Sequence, residues 1–119
     1  PVVRHPLPAV VTEIYLKHYA ITVCKSSDVD SPMILGAQVA NELLDINEIK
    51  ASFVFTEYND KIYISARSID EVNVQVIMEK LGGGGHLSVA GTQLENATIP
   101  EAIMKIKNTL DIMNSEGEL

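Results

Sequence analysis

The alternation of apolar and polar residues predicts strands at several places along the chain. The segment 19–24 is rich in apolar and β-branched residues and is predicted to be a strand. The segments 51–58 and 62–68 are also typical of strands, and Asn59-Asp60 between them favours a β-hairpin because both residues tolerate left-handed turn geometry. After a run of glycines, the segment 87–94 is predicted to return to the sheet. The period of two along 62–68 places three side chains on one face, namely Tyr63, Ser65 and Arg67.

Apolar residues at helical spacing predict three helices between and after these strands. The first begins at Ser31-Pro32, a favourable pair for the N-cap and first helical position, and is expected to end near residues 45–47. The second covers residues 74–81, with apolar residues at i, i+3, i+4 and i+7. The third is capped by Thr98 and has Pro100 in its first turn.

These elements follow one another in the order β-α-β-β-α-loop-β-α. That order predicts an α/β fold in which helices pack on a mixed β-sheet. Residues 1–13 contain three prolines and are predicted to be a linker or lead-in. The domain itself is predicted to span residues 14–113, and residues 114–119 are expected to fray.

Composition narrows the class of protein. A length of 119 residues, 46% of them apolar, suits one domain with its own core. The net charge of -7 argues against a general nucleic-acid coat, which would need a basic stripe. The single cysteine, Cys24, excludes an internal disulfide and fits a reducing compartment. The first residue is Pro1 and not Met, which indicates a piece of a longer protein.

The most informative segment is the glycine run at residues 82–85, which is followed directly by His86. Glycine loses more backbone entropy on folding than any other residue, so four in succession indicate positive φ angles or a ligand in close contact with the backbone. A helix C-cap is the alternative explanation, and it accounts for one or two glycines. No acidic residue lies between Lys80 and Glu95. The segment therefore predicts a loop that lies against a phosphate.

Because the run follows a helix C-terminus, where the helix dipole disfavours anions, it differs from the Walker and Rossmann loops and needs an added cation. Arg67 is one of two arginines and can hold a phosphate with two hydrogen bonds. A surface ion pair with Asp70 or Glu71 is the alternative for Arg67. His86 could donate to a phosphate or stack on a base, and a purely structural role is its alternative.

Neither a metal site nor a complete set of catalytic groups is predicted within this chain. The possible nitrogen and sulfur ligands are scattered without metal-site spacing: His5, His18, Cys24 and His86. The hydroxyl side chains near the glycine run lack a base and a group to orient it. The residues thus favour a module that binds a phosphate-bearing ligand.

The glycine run and His86, together with Ser-Ala-Arg-Ser at 65–68 and the segment 73–81, resemble the DHH-associated C-terminal domain of the DHH phosphoesterases. Over most of residues 20–113 the chain is similar to the cyclic di-AMP phosphodiesterases of the GdpP/YybT type in Firmicutes. The substrate-binding residues that this resemblance implies are Arg67, Ser68, Asn73, Gly83, Gly84, Gly85 and His86.

The resemblance also implies a parent enzyme that hydrolyses cyclic di-AMP to pApA. That enzyme would be anchored in the bacterial cell membrane, with this domain on the cytoplasmic side. A separate DHH domain would hold two manganese ions that activate water. This chain is then the substrate-binding half, with no cofactor of its own and no activity alone. Its partners would be cyclic di-AMP or pApA and the DHH domain; a homodimer stays open, and no contact with DNA or the membrane is expected.

Three other functions stay open at this point. One is the substrate-binding domain of a DHH oligoribonuclease or pAp phosphatase. Another is a non-catalytic RNA-binding module similar to the one in alanyl-tRNA synthetase, which the negative net charge disfavours because RNA binding requires cations. The last is a scaffold or dimerisation domain that uses its apolar helix faces.

Overall fold

The protein folds into a mixed β-sheet with helices packed on both of its faces. The computed structural model describes residues 2–5, 10–24, 32–69 and 71–119. The strands are β1 (Val2–His5), β2 (Val10–Tyr15), β3 (Tyr19–Cys24), β4 (Ala51–Tyr58), β5 (Lys61–Ser68), β6 (Gly84–Gly85) and β7 (Val89–Glu95), and the helices are α1 (Pro32–Leu43), α2 (Val74–Glu79) and α3 (Ile99–Ser115). The described strands form one sheet in the order β1-β2-β3-β4-β5-β7-β6. β3 and β4 are parallel and are connected through α1, whereas the other neighbours are antiparallel. The predicted α/β class with a mixed sheet is confirmed.

The two faces of the sheet carry two separate clusters of buried apolar side chains. On one face Phe53 and Phe55 of β4 pack with residues of α2 and α3, among them Ile77 and Ile106. On the other face Val54 packs against residues of α1. Successive residues of β4 point to opposite faces, so a single strand contributes to both clusters. α1 therefore lies on one face of β4 and β5, and α2 lies on the opposite face of β5 and β7.

The predicted hairpin between β4 and β5 is confirmed. Asn59 and Asp60 have φ angles of +52° and +61°, and the strands pair up to Tyr58 and Lys61. A two-residue turn with both φ angles positive matches the twist of the strands it joins. Burial alternates strictly along β5, which places Arg67 on the face opposite to the buried Ile64 and Ala66.

The sequence predicts a linker over residues 1–13. In the structure, residues 2–5 and 10–13 belong to strands β1 and β2 of the sheet. β1 pairs with β2 and β2 pairs with β3. The hydroxyl groups of Thr12 and Thr22 are 2.6 Å apart in the interior, and Lys107 Nζ on α3 is 2.8 Å from Glu13 Oε2. These are long-range contacts, and the local sequence does not encode them. The prolines at positions 6 and 8 fall between β1 and β2, outside the described residues.

The sequence predicts a frayed tail over residues 114–119, and in the structure this segment forms a helix cap and contacts the core. Gly117 has a φ angle of +74°, and its N–H donates to Asn114 O at 3.2 Å. The N–H of Glu118 donates to Met113 O at 2.8 Å, which completes a Schellman motif. Leu119 then packs against the core.

The helix ends agree in part with the sequence patterns. Thr98 caps α3 and forms a reciprocal capping box with Glu101, as its position predicts. Asn73 caps α2, and α1 ends at Leu43, before the expected 45–47. The cap expected at Ser31 lies outside the described residues. Within the described ranges, no helix combines the length and the apolar character needed to cross a bilayer.

Candidate functional site

The first two residues of the glycine run terminate α2. Gly82 has a φ angle of +87°, and its N–H donates to Glu79 O at 3.1 Å. The N–H of Gly83 donates to Met78 O at 2.8 Å. This is the Schellman pattern, which favours glycine at the left-handed position. Part of the run is therefore a helix cap, and the Gly83 amide is already engaged by the helix.

The close approach of residues 83–85 to β7 explains two positions of the run. A Cβ atom on Gly83 would lie 2.2 Å from Gly91 O, and one on Gly85 would lie 2.5 Å from Ala90 Cα. Neither position has room for a side chain. Gly84 is different, because a Cβ atom there would meet no other atom within 4 Å. The fold thus accounts for three of the four glycines and leaves Gly84 unexplained.

Gly84 borders an open groove of about 860 Å³ between the glycine run, the sheet and the edge of α1. The registers of β5, β7 and β6 define its floor as three rows across the strands. Arg67 is paired with Val89 in one row, and Tyr63 with Gln93 in another. The middle row contains only small residues: Ser65, Gly91 and Gly84. The residues in the middle of the floor are therefore smaller than those at its two ends.

Arg67 supplies positive charge at one end of the groove. Its Nη1 donates to Ala66 O at 2.8 Å, and partial burial lowers the pKa of the guanidinium, which still stays charged at neutral pH. Among the described residues no carboxylate pairs with Arg67, and Glu71 does not do so; Asp70, the other predicted partner, lies outside them. The described residues that line the groove include no aspartate or glutamate. The groove is therefore suited to an anion.

The main chain adds a free donor at the outer edge of the sheet. The N–H of His86 donates to Val89 O at 2.7 Å and closes the turn between β6 and β7. Directly opposed residues of antiparallel strands alternate between hydrogen-bonded and non-bonded pairs. Gly85 is one residue away from the bonded pair, so its N–H points away from β7. Gly85 is thus the glycine of the run whose amide is best placed to meet a ligand.

The structure brings together five of the seven residues predicted to bind substrate. Those that line the groove are Arg67, Gly83, Gly84, Gly85 and His86. Ser68 and Asn73 are not among the lining residues. Ser68 Oγ donates to Val72 O at 2.7 Å, and Asn73 Oδ1 accepts from Val76 N at 3.2 Å. Both side chains stabilise the segment that leads into α2, and a contact of either with a ligand stays a prediction.

Sequence reasoning missed several residues of the groove. Tyr63 and Ser65 share a face with Arg67, so the alternation along β5 could have identified them. Gly91 and Gln93 reach the groove only because β7 pairs with β5, and that register is a tertiary property. Ile34 of α1 likewise enters the lining through helix packing.

Other features of the described residues do not suggest a metal or a second anion site. No group of three or more His, Cys, Asp or Glu side chains in the described ranges is arranged to hold a metal ion. A second cavity of about 820 Å³ lies near Lys17, Lys50 and the end of α3. It also contains Glu71 and Glu118, so its charge is mixed. The groove beside the glycine run is therefore the stronger candidate.

Comparison with known proteins identifies the family. The sequence model of the DHHA1 domain matches residues 18–113. The chain belongs to the DHHA1 domain family. This DHHA1 domain is 47% identical over 100 residues to the cyclic-di-AMP phosphodiesterase PdeA of Listeria monocytogenes, a match that covers 83% of the chain. It is also 47% identical over 79 residues, 66% of the chain, to the cyclic-di-AMP phosphodiesterase GdpP of Bacillus subtilis.

The DHHA1 domain corresponds to a small part of these relatives, since the matches cover 15% of the first and 12% of the second. Among solved structures, an exopolyphosphatase-related protein from Bacteroides fragilis superimposes with a TM-score of 0.76 at 21% identity. That match covers 87% of this chain and 32% of the other. It confirms the fold, and the two phosphodiesterases confirm the resemblance found in the sequence.

Proposed function

We propose that this DHHA1 domain binds the nucleotide phosphate in a cyclic di-AMP phosphodiesterase that produces pApA. The observation that carries the proposal is a partly buried Arg67, without a carboxylate partner among the described residues, in a groove whose described lining is free of acidic side chains. An anion would compensate that charge. Two relatives that are each 47% identical to this chain are cyclic-di-AMP phosphodiesterases, which makes a cyclic dinucleotide or its product the natural ligand to test.

Each groove residue has a distinct proposed role. The guanidinium of Arg67 holds two oxygens of one phosphate, a geometry that suits its planar fork. The ring of His86, in the same row of the floor as Arg67, donates to the same group, and the free N–H of Gly85 donates to another part of the ligand. Gly84 leaves the space above the strand open, so that the ligand can approach the backbone. Together they supply charge, direction and room for a phosphate.

The reaction itself is proposed to require groups from outside this chain. In line with the resemblance to the DHH phosphoesterases, we assign the two manganese ions to a DHH domain of the parent protein. That parent would be anchored in the bacterial membrane and would open one phosphodiester bond of cyclic di-AMP. The present chain with manganese and cyclic di-AMP should then yield no pApA, as measured by chromatography. Steady release of pApA by the purified chain would contradict this division of roles.

An NMR titration of the chain with pApA tests the proposed site. AMP and a short RNA serve as comparison ligands. We expect amide shifts centred on Arg67 and on residues 84–86, with pApA as the tightest ligand. Absence of shifts with all three ligands would contradict phosphate binding by this chain. Tighter binding of short RNA would instead favour an oligoribonuclease, and steeply salt-dependent binding of tRNA would favour an RNA-binding module.

A further inference from the structure

The groove is longer than a phosphate requires. Arg67 and Tyr63 stand on the same face of β5, four residues apart, which corresponds to about 13 Å along a strand. Between them the floor consists of Ser65, Gly91 and Gly84. Gly36 of α1 lies close above Ser65, since a Cβ atom on Gly36 would be 3.2 Å from Ser65 Oγ, so the open part of the floor lies toward Gly84. In a nucleotide the phosphate and the base lie at opposite ends of one sugar. If the phosphate is bound at Arg67, the base is directed toward the other end of the floor.

That other end contains an aromatic ring beside a carboxamide. Tyr63 and Gln93 are directly opposed on β5 and β7, and opposed residues have Cβ atoms about 5 Å apart. Both line the groove, with Tyr63 partly buried and Gln93 exposed. Within the described part of the chain, neither side chain makes a hydrogen bond to another group. Both are therefore available to a ligand.

We propose that Tyr63 and Gln93 recognise the base of the bound nucleotide, with Tyr63 stacking on its ring and Gln93 selecting adenine. This inference rests on the proposed phosphate site at Arg67. A carboxamide has one acceptor oxygen and a donor NH₂ group. Adenine presents a donor, its N6 amino group, next to the N7 acceptor, whereas guanine presents two acceptors, O6 and N7, on the same edge. Gln93 can therefore make two hydrogen bonds with adenine and one with guanine on that edge.

The test compares the dissociation constants of AMP, GMP and ribose 5-phosphate, measured by NMR titration of the full chain. For the unmodified chain we expect AMP to bind about tenfold more tightly than GMP, as for other paired base contacts. In Gln93→Leu this ratio should fall to near one, while binding of ribose 5-phosphate stays unchanged. Gln38→Leu is the matched control, because Gln38 is exposed on α1 outside the lining, and it should keep the ratio.

The proposed stacking of Tyr63 on the base is tested by the affinities of Tyr63 variants for AMP and GMP. Tyr63→Ala should weaken AMP and GMP equally, by about tenfold for the loss of one aromatic platform. Tyr63→Phe keeps the ring and should bind both nucleotides as before. Ribose 5-phosphate, which has no base, should not respond to either change. A Phe variant that loses as much affinity as the Ala variant would contradict stacking.

The outcomes separate this inference from the proposed function. An AMP-to-GMP ratio that Gln93→Leu leaves unchanged would overturn the role of Gln93. Equal binding of AMP and ribose 5-phosphate would overturn the base site as a whole, with the phosphate site intact. Failure of all three compounds to bind would contradict the phosphate site itself, and the base site with it.

Discussion

At the scale of single residues, the glycine run contains positions with different physical requirements. A methyl group on Gly83 would overlap Gly91 O, whereas one on Gly84 would enter open space at the groove. Gly83→Ala should therefore lower the free energy of unfolding by about 1–3 kcal/mol, the usual cost of overpacking. Gly84→Ala should change it by less than about 0.5 kcal/mol, as for a surface position. Urea denaturation of both variants measures the difference.

Gly84→Ala is expected to affect ligand binding although it hardly changes stability. Gly84→Ala should weaken pApA binding, because the methyl group occupies the space we assign to the ligand. A folded Gly84→Ala variant with unchanged pApA affinity would show that nothing binds against this part of the run. Equal destabilisation by the two substitutions would contradict the packing of β6 on β7.

Ser68 is buried and forms hydrogen bonds with the protein backbone through both its hydroxyl and its N–H group. It is 6% exposed, its hydroxyl donates to Val72 O, and its N–H donates to Ser88 O. Ser68→Ala leaves Val72 O without this donor in the interior, so we expect a loss of about 1–3 kcal/mol in unfolding free energy. Thermal unfolding with the matched Ser115→Ala variant, at an exposed helix end, provides the comparison. Similar stabilities of the two variants would contradict a structural role of the Ser68 hydroxyl.

At the scale of elements, the capping box of α3 makes stability depend on pH. The Thr98 backbone N–H donates to Glu101 Oε1 at 2.9 Å, and this bond, with a smaller contribution from the Thr98 side chain, lowers the pKa of Glu101 below its ordinary value of 4.5. The unfolded chain therefore binds a proton at Glu101 more readily than the folded chain does. This contribution to stability is present above pH 4.5 and is lost as the pH falls through the folded-state pKa.

Glu101→Gln should remove that contribution. Its unfolding free energy should fall less steeply between pH 5 and pH 3 than that of the unmodified chain, as measured by urea denaturation at each pH. Glu116→Gln, at the opposite end of the helix, is a suitable control. Parallel pH profiles for the unmodified chain and Glu101→Gln would contradict the capping box.

Elements with local determinants could be predicted from the sequence. The hairpin at Asn59-Asp60 and the cap at Thr98 depend on residues within a few positions of each other. β1 and β2 could not be predicted in this way, because their formation depends on pairing with β3 and on contacts such as Lys107 with Glu13. The contact of Leu119 with the core, at the end of the chain, likewise depends on residues far away in the sequence.

At the scale of the whole molecule, the distribution of charge distinguishes the groove from the rest of the chain. The net charge is -7, yet the described lining of the groove includes Arg67 and His86 and no acidic residue. A ligand held by one or two cations releases few counterions. We expect log affinity for pApA to fall with log salt concentration with a slope of about -1, measured by calorimetry between 50 and 200 mM salt. A slope several times steeper would favour an extended RNA interface.

The site could be predicted in part at this scale. Arg67 and the glycine run are visible in the sequence, because a strand-end arginine and four successive glycines are unusual together. The assignment of most of those glycines to a helix cap and to close packing required the pairing of β6 with β7. The far end of the groove, at Tyr63 and Gln93, depends on the register between β5 and β7 in the same way.

The most direct test of the central claim removes the positive charge from the groove. Arg67→Gln should weaken pApA binding by about 1.5–3 kcal/mol, the usual contribution of a hydrogen bond to a charged group. Lys61→Gln removes one positive charge from the same strand, where Lys61 pairs with Glu95 outside the groove, and should leave the affinity unchanged. Calorimetric titration of both variants with pApA decides between the outcomes. Equal affinities for the two variants would contradict phosphate binding at Arg67.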